Sequence, residues 1–210
     1  MSRGLTEALD GWDHVRSSEL YGVEAWGNGY FHVTEDGFAA VRLKNSTGPV
    51  SVKFRDIVQG LYQRGFSLPV LLRFGDLLAA RIRVIHEAFA KAIADSGYGG
   101  LYRGVYPIKV NQQQQALADV VKFGAPFHHG LEAGSKAELI AALAYLHDPE
   151  AYIICNGYKD AEFIDLALSS LKMGLQTILV LEMPGELDLL LERAAKLNIR
   201  PRIGIRVKLA

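Results

Sequence analysis

A regular alternation of short apolar runs and helical patterns dominates the chain from residue 101 onward. The apolar runs are each short enough to be buried strands: 101–110, 126–131, 151–155, 177–181 and 203–207. Helical periodicity fills the intervals between them, at residues 113–123, 136–146, 161–173 and 186–197. Strand–helix–strand order with short loops favours parallel strands joined by right-handed crossovers. This part of the chain is therefore predicted to be α/β.

Polar residues mark the ends of these apolar runs. They recur at intervals of 23 to 26 positions: Lys109, Glu132, Asn156, Glu182 and Arg206. In parallel α/β folds the functional site forms at the carboxyl ends of the strands, where the strand-to-helix loops meet. The spacing therefore predicts that these side chains face a common pocket. The alternative is that polar residues collect at strand ends simply because solvent begins there.

Lys109 is the most unusual of the five. It lies between Ile108 and Val110, within the apolar stretch that is predicted to form the first strand of the sheet. An ammonium group in an apolar strand is costly unless it reaches a partner or loses its charge. Lysines in such places become nucleophilic amines, which Schiff-base chemistry requires. The alternative is a lysine that extends from the strand end into solvent, and Pro107 argues against an interior strand here.

The first hundred residues follow a different pattern. Two β-prone runs within residues 30–43 flank Asp36-Gly37, which predicts a hairpin because glycine supplies the positive φ of such turns. A short helix is expected at 54–63, a buried strand at 68–74 and a longer helix at 76–95. We therefore predict a β-rich segment over residues 1–66 and the α/β part over residues 67–210.

Composition limits the classes of function. Half of the 210 residues are hydrophobic, and 23 basic side chains balance 23 acidic ones. The zero net charge argues against nucleic acid or an anionic membrane as a partner held by bulk electrostatics. The single cysteine fits a reducing compartment, and no apolar run approaches the length of a membrane span. A cytoplasmic protein is expected.

The cysteine and the histidines offer little other chemistry. Cys155 lies in an apolar run and is predicted to be a small buried hydrophobe rather than a nucleophile. His128 and His129 are adjacent, and neighbouring strand residues point to opposite faces, so no metal site is predicted. One of these two histidines is a candidate to face a pocket near Glu132.

Several motifs together resemble the biosynthetic arginine decarboxylases, which are pyridoxal-phosphate enzymes. Tyr-Pro-Ile-Lys-Val-Asn-Gln at 106–112 is similar to that family's cofactor-lysine motif, and Gly-Leu-Glu-Ala-Gly-Ser-Lys at 130–136 is similar to its second-strand segment. The segments that match further family motifs are 21–23, 26–31, 155–160 and 202–207. The likeness extends from about residue 21 to residue 210.

The resemblance implies both a fold and an activity. It implies a (β/α)8 barrel of the alanine-racemase type, here present as about five strands, and a β domain into which an early N-terminal segment pairs. It also implies conversion of L-arginine to agmatine and CO2 for the synthesis of putrescine and spermidine. A homo-oligomer is expected at full length, and magnesium is a further cofactor that the resemblance suggests.

The same resemblance implies roles for particular residues. Lys109 would form the Schiff base with pyridoxal phosphate and would take part in catalysis. Glu132 would lie near that Schiff base as a second catalytic residue. Arg206 would bind the cofactor, where its guanidinium can hold an oxygen acceptor.

Some parts of the family pattern do not occur in this sequence. No glycine-rich phosphate loop follows Lys109, and no acidic partner for the pyridine nitrogen can be assigned. We therefore expect a truncated chain that does not decarboxylate arginine by itself. The alternatives are a related decarboxylase acting on ornithine, lysine or diaminopimelate, and a non-catalytic remnant that binds a cofactor or a partner.

Overall fold

The computed structural model describes residues 11–45 and 48–207, and the chain divides into two compact units. The first unit ends at Leu77 and the second begins at Leu78. The predicted division between residues 66 and 67 lies earlier in the chain and stays a prediction.

The first unit contains short helices and a small antiparallel sheet. Its elements, in chain order, are α1 (His14–Leu20), α2 (Val23–Gly27), β1 (Phe31–Val33), β2 (Ala39–Asn45), β3 (Gly48–Lys53) and α3 (Phe54–Gln63). The sheet has the order β1-β2-β3, and the turn between the first two strands places Gly37 at φ 83°. The predicted hairpin and the predicted helix at 54–63 are confirmed.

The prediction of a buried strand at residues 68–74 is wrong. No strand or helix covers this segment, and Leu68 and Leu71 are 50% and 76% exposed. An apolar run predicts a buried strand only where a neighbouring strand can pair with it, and Pro69 removes one of the backbone donors that pairing needs.

The second unit is an α/β layer structure. Its elements are α4 (Gly75–Ser96, which begins just before the unit), β4 (Val105–Pro107), α5 (Gln114–Gly124), β5 (Gly130–Ala133), α6 (Lys136–Tyr145), β6 (Tyr152–Cys155), α7 (Ala161–Lys172), β7 (Gln176–Leu181), α8 (Gly185–Leu197) and β8 (Ile203–Ile205). The five strands pair in parallel in the order β4-β5-β6-β7-β8. The predicted α/β class and the run of five parallel barrel strands are confirmed.

In two of the apolar runs that predicted strands, part of the run forms a 3-10 segment instead. The run at 101–110 forms a strand only over Val105–Pro107 and then turns into a 3-10 segment, Ile108–Val110. The run at 126–131 begins with the 3-10 segment Ala125–Phe127, and strand β5 starts at Gly130. A proline lies in each run and cannot donate to a strand ladder, which explains both corrections.

Alternate residues of the sheet face opposite environments. Leu131, Ile153 and Leu179 are fully buried in one core with apolar residues of the surrounding helices, such as Phe163 and Leu168. The opposite face borders a groove of about 710 Å³, which residues from β4, β6 and β7 line: Val105, Tyr152, Ile154, Gln176 and Ile178. This two-sided arrangement is the one expected for the wall of a barrel.

Side-chain caps begin two of the helices that follow the strands. The Ser135 hydroxyl accepts a hydrogen bond from the Glu138 backbone N–H at 3.3 Å, and the Asp160 carboxylate accepts one from the Phe163 N–H at 2.9 Å. Such caps satisfy backbone donors that have no partner within the helix. They fix where α6 and α7 leave the sheet, directly after the strand ends that carry the candidate site.

Candidate active site

Lys109 lies beyond the strand and not within it. Strand β4 ends at Pro107, and Lys109 occupies the 3-10 turn that follows, with a side chain that is 67% exposed. The apolar burial that the sequence suggested for this ammonium group is therefore absent, which corrects that interpretation. The turn instead places an accessible amine at the carboxyl end of the sheet.

Glu132 is the ionic partner of Lys109. It lies on β5 directly opposite Pro107, and its carboxylate Oε1 is 3.4 Å from the Lys109 Nζ. The Glu132 side chain is 20% exposed, so this carboxylate is the more enclosed member of the pair. The structure thus brings together the two residues that the sequence predicted as catalytic.

Arg206 is held by a second ion pair at the same edge. Its Nη1 donates to Glu182 Oε2 at 2.9 Å, while Glu182 Oε1 accepts from the Gly157 backbone N–H at 2.6 Å. The Gly157 N–H and, to a lesser extent, the Arg206 guanidinium lower the pKa of the Glu182 carboxyl. Glu182 therefore stays ionised at neutral pH and fixes one side of a guanidinium that is 64% exposed.

Asn156 completes the set of predicted strand-end residues. Its backbone N–H donates to the Ala133 carbonyl at 3.0 Å, which extends the pairing of β5 with β6 by one step. The five residues therefore lie along one edge of the sheet, and four of them form two ion pairs. That their side chains face a common pocket stays a prediction.

Glu138 does more at this edge than the capping role that its sequence position suggests. Its Oε1 accepts from the Gln112 side-chain amide at 2.7 Å, and its Oε2 accepts from the Gly134 backbone N–H at 2.7 Å. The residue is 8% exposed. Glu138 thereby connects the loop after β4 to the loop after β5. Glu138 lies three residues after the helix cap Ser135, a spacing at which a glutamate side chain often binds a backbone N–H before the helix. That spacing could have indicated the contact with the Gly134 N–H.

Sequence reasoning missed a buried ion pair, Lys159 with Glu186. The Lys159 side chain is 1% exposed, and its Nζ lies 3.8 Å from Glu186 Oε2. Burial lowers the pKa of Lys159, and the neighbouring carboxylates of Glu186 and Glu182 oppose that shift. No sequence signal separates this lysine from the exposed lysines that loops usually carry.

Cys155 is a buried hydrophobe, as predicted. Its side chain is fully enclosed, and burial raises the pKa of the thiol to about 12. The nucleophilic form of cysteine is the thiolate, so this thiol is inert at neutral pH.

The histidine pair does not lie beside Glu132. His128 adopts φ 52°, outside the strand region, and its Nδ1 contacts Asp148 Oδ2 at 2.9 Å. The His129 Nδ1 lies 2.9 Å from the His86 Nε2, at the amino end of β5. The expectation that either histidine faces a pocket near Glu132 is therefore wrong, because both precede the strand that carries Glu132 near its other end.

Within residues 11–45 and 48–207, no three histidine, cysteine, aspartate or glutamate side chains are grouped so that they could hold a metal ion. None of the helices in the same ranges is both long enough and apolar enough to span a bilayer.

Comparison with known families identifies the class of this chain. Residues 79–210 match the family model described as "Pyridoxal-dependent decarboxylase, pyridoxal binding domain". The chain therefore belongs to the pyridoxal-dependent decarboxylase family, and family membership implies pyridoxal phosphate as the cofactor.

The curated relatives that match this chain include arginine decarboxylases. The chain is 46% identical over 201 residues to the biosynthetic arginine decarboxylase of Gloeobacter violaceus, covering 96% of this chain and 31% of that protein. It is 43% identical over 209 residues to arginine decarboxylase 1 of Oryza sativa, covering 94% and 30% of the two chains. The chain thus spans about a third of the length of these relatives.

Two solved structures of decarboxylases share the fold of this chain. The biosynthetic arginine decarboxylase of Campylobacter jejuni matches with a TM-score of 0.81 and 37% identity, over 90% of this chain and 31% of that one. Diaminopimelate decarboxylase from M. jannaschi matches with a TM-score of 0.61 and 17% identity, over 87% and 36%. The second likeness shows the fold alone.

The residues at the carboxyl edge are chemically suited to pyridoxal phosphate. Lys109 offers an accessible primary amine for the aldehyde, and Arg206 offers an exposed guanidinium for an oxygen acceptor. The loop N–H groups of Gly134 and Gly157 already donate to carboxylates. Within the described residues, charged side chains rather than these two amides are therefore available to the cofactor.

Proposed function

We propose that this chain supplies the lysine-bearing part of the active site in an arginine decarboxylase, which converts L-arginine to agmatine and CO2. The observation that carries the proposal is the Lys109–Glu132 ion pair at the carboxyl edge of the parallel sheet. The 46% identity to a biosynthetic arginine decarboxylase supports arginine as the substrate.

Each of the three site residues has a distinct role in this proposal. Lys109 holds the cofactor covalently through its amine, and Glu132, its ionic partner at 3.4 Å, orients that amine. Arg206, which Glu182 fixes on one side, binds an oxygen of the cofactor with its exposed nitrogens. Bound pyridoxal phosphate supplies an electron sink for the charge that remains on the substrate carbon when CO2 leaves.

Several wider predictions depend on the same assignment. Agmatine formation would serve the synthesis of putrescine and spermidine, and the single cysteine favours a reducing compartment such as the cytoplasm. A homo-oligomer and a dependence on magnesium also remain predictions, to be tested by sedimentation and by assay after chelation.

Covalent trapping tests the cofactor lysine directly. The full chain is incubated with pyridoxal phosphate, reduced with borohydride, digested and mapped by mass spectrometry. We expect the label on the peptide that contains Lys109, and its loss in Lys109→Ala but not in Lys91→Ala, a control at an exposed helical lysine. A label spread over surface lysines, with no preference for Lys109, would contradict the proposal.

The activity of the 210-residue chain by itself is a separate prediction. Within the described residues β4 and β8 are edge strands, and the groove side of the sheet is open. We expect no agmatine release from L-arginine by this chain alone. Release by a purified, folded sample would overturn this expectation and leave the cofactor assignment intact. Parallel assays with ornithine, lysine and diaminopimelate test the alternative substrates.

A further inference from the structure

The buried pair Lys159–Glu186 adjoins the ion pair that holds Arg206, because Glu186 accepts a hydrogen bond from the backbone N–H of Glu182. Lys159 belongs to the loop between β6 and α7, and Glu186 lies in the first turn of α8, after β7. Neither residue is among those assigned to the site above. Their contacts connect two neighbouring strand-to-helix loops.

Lys159 binds backbone carbonyls on both sides of the gap between the two strands. Its Nζ donates to the Gly157 carbonyl at 2.6 Å and also to the Val180 carbonyl. Gly157 follows β6, and Val180 lies on β7, so one ammonium group fixes the spacing of the two strand ends. With Glu186 the ammonium group has three polar neighbours.

Glu186 completes the connection with its two carboxylate oxygens. Oε1 accepts from the Lys159 backbone N–H at 3.0 Å, and Oε2 accepts from the Glu182 backbone N–H at 2.8 Å. The backbone of Glu182 is thereby fixed at one point, while its side chain accepts from the Gly157 N–H at 2.6 Å. These contacts link Lys159, Gly157, Glu182 and Glu186 in a closed ring. Among these four residues, Glu182 is the one that contacts Arg206.

We propose that Lys159 and Glu186 are positioning residues that hold the Glu182 carboxylate, and through it the Arg206 guanidinium, in place for the cofactor. The part that concerns Arg206 rests on the proposed function, whereas the part that concerns Glu182 does not. Neither Lys159 nor Glu186 is placed in contact with the substrate or the cofactor.

The burial of this pair is difficult to explain by stability alone. Removing two charges from water is costly, and well-packed apolar residues of similar volume often serve stability as well or better. A buried lysine that binds two carbonyls and a carboxylate instead specifies one arrangement of the loops. That arrangement is the one that directs the Gly157 N–H at Glu182.

Nuclear magnetic resonance on the full chain, without cofactor, tests the Glu182 part. The Gly157 amide resonance is followed from neutral to acid pH, and its hydrogen exchange is measured at neutral pH. We expect this amide to be protected from exchange and to shift with the ionisation of Glu182, whose pKa is lowered. An unprotected Gly157 amide that does not titrate in the wild-type chain would overturn the proposal without any variant.

Lys159→Met then removes the ammonium group and keeps the length of the side chain. We expect the Gly157 amide to exchange about tenfold faster, the value of one hydrogen bond to a charged group. The midpoint of its titration should also move upward, because a nearby positive charge no longer favours ionised Glu182. Lys136→Met, at an exposed lysine near the same edge, is the matched control and should change neither quantity.

Glu186→Gln is the second variant, in case Lys159→Met does not fold. It removes the charge and one of the two acceptors, and it should also deprotect the Gly157 and Glu182 amides. A folded variant of either kind with wild-type exchange and a wild-type titration midpoint would show that the pair does not position Glu182.

Affinity for pyridoxal phosphate tests the Arg206 part in a double-mutant cycle. Lys159→Met and Arg206→Ala should each weaken binding about tenfold, and the double variant should be no weaker than Arg206→Ala alone, because both act through one group. Additive losses would overturn the Arg206 part. Because the proposed function is tested by the label on Lys109, failure there is distinguishable from failure here.

Discussion

The two edges of the parallel sheet are built from different chemistry. At the carboxyl edge, carboxylates bind backbone N–H groups of the loops, as Glu138 does with Gly134 and Glu182 does with Gly157. At the amino edge, aromatic rings and uncharged imidazoles pack together.

The amino edge centres on the contact between two histidines. The His86 Nε2 lies 2.9 Å from the His129 Nδ1, and the His86 ring stacks on Phe127 with 4.7 Å between centroids. Tyr102 stacks on Phe89 beside them, at 3.9 Å. Burial lowers the pKa of both histidines, in the case of His129 to about 4.

Under the proposed function, the two edges of one sheet separate stability from cofactor binding. The carboxyl edge keeps its charged groups paired but leaves Lys109 and Arg206 reachable from solvent. The amino edge holds α4 to the sheet through groups that are uncharged at neutral pH. Substitutions that disturb the packing at the amino edge should therefore affect folding alone, whereas those that disturb the loops holding Lys109 and Arg206 should affect both folding and cofactor binding.

The largest effect is expected from Gly157→Ala at the carboxyl edge. Gly157 has φ +77°, and an added Cβ would lie 2.4 Å from the Gly134 carbonyl oxygen, which is backbone and cannot turn aside. We expect a loss of about 3 kcal/mol or more in the free energy of unfolding. Gly174→Ala is the control, because its φ of +87° is similar and nothing lies within 4 Å of the added Cβ. Equal losses in urea titrations of the two variants would contradict the close approach of the loops.

Gly104→Ala is the corresponding change at the amino edge. Its Cβ would lie 2.5 Å from the His129 Nδ1 and 2.9 Å from the His86 Nε2. Side chains can move where backbone cannot, so we expect a smaller loss of about 2 kcal/mol. Gly99→Ala, which has open space around its Cβ, should be close to neutral in the same urea titration.

The free energy of unfolding should depend on pH through the titration of His129 at the amino edge. The pKa of His129 is about 4 in the folded chain against an ordinary value of 6.5, so the unfolded state binds the proton more tightly. The stabilisation is complete above pH 6.5 and is lost as the pH falls from 6.5 toward 4, by about 2 kcal/mol after allowing for solvent screening. In His129→Phe the slope of unfolding free energy against pH should be smaller over this range. An unchanged slope would show that another group titrates.

The smallest effect is expected for Lys136→Met at the carboxyl edge. Lys136 Nζ pairs with Asp160 and Glu162, each at 2.8 Å, and these hydrogen bonds raise its pKa. The three side chains are exposed, and exposed ion pairs contribute little because water screens them. Thermal unfolding of the variant should match that of the wild-type chain. A clear loss of stability would contradict the view that water screens the ion pairs of Lys136.

The sequence could predict the period of this fold and the caps of its helices. Strand and helix patterns repeat, and the caps at Ser135 and Asp160 depend on neighbours three residues away. These are local features, so a linear pattern records them. Lys109, Glu132, Glu182 and Arg206 lie along one edge because they follow strands that pair in parallel, and their roles in catalysis and cofactor binding stay predictions.

The parts that the sequence could not predict depend on distant neighbours. The burial of Lys159 results from Val180 and Glu186, which are 21 and 27 positions away. The pairing of His86 with His129 spans 43 positions. The exposure of Lys109 depends on where β4 ends, and Pro107 indicates that end more reliably than the apolar run around it.

The carboxylate contacts at the loops also have a consequence for the order of folding. Glu138 binds the Gly134 N–H and Glu186 binds the Glu182 N–H, each across only four positions of the chain. Closing so short a loop costs little entropy, and local contacts form early. Each of these two loops can therefore take its final shape as soon as the helix after it has formed, before the next strand joins the sheet.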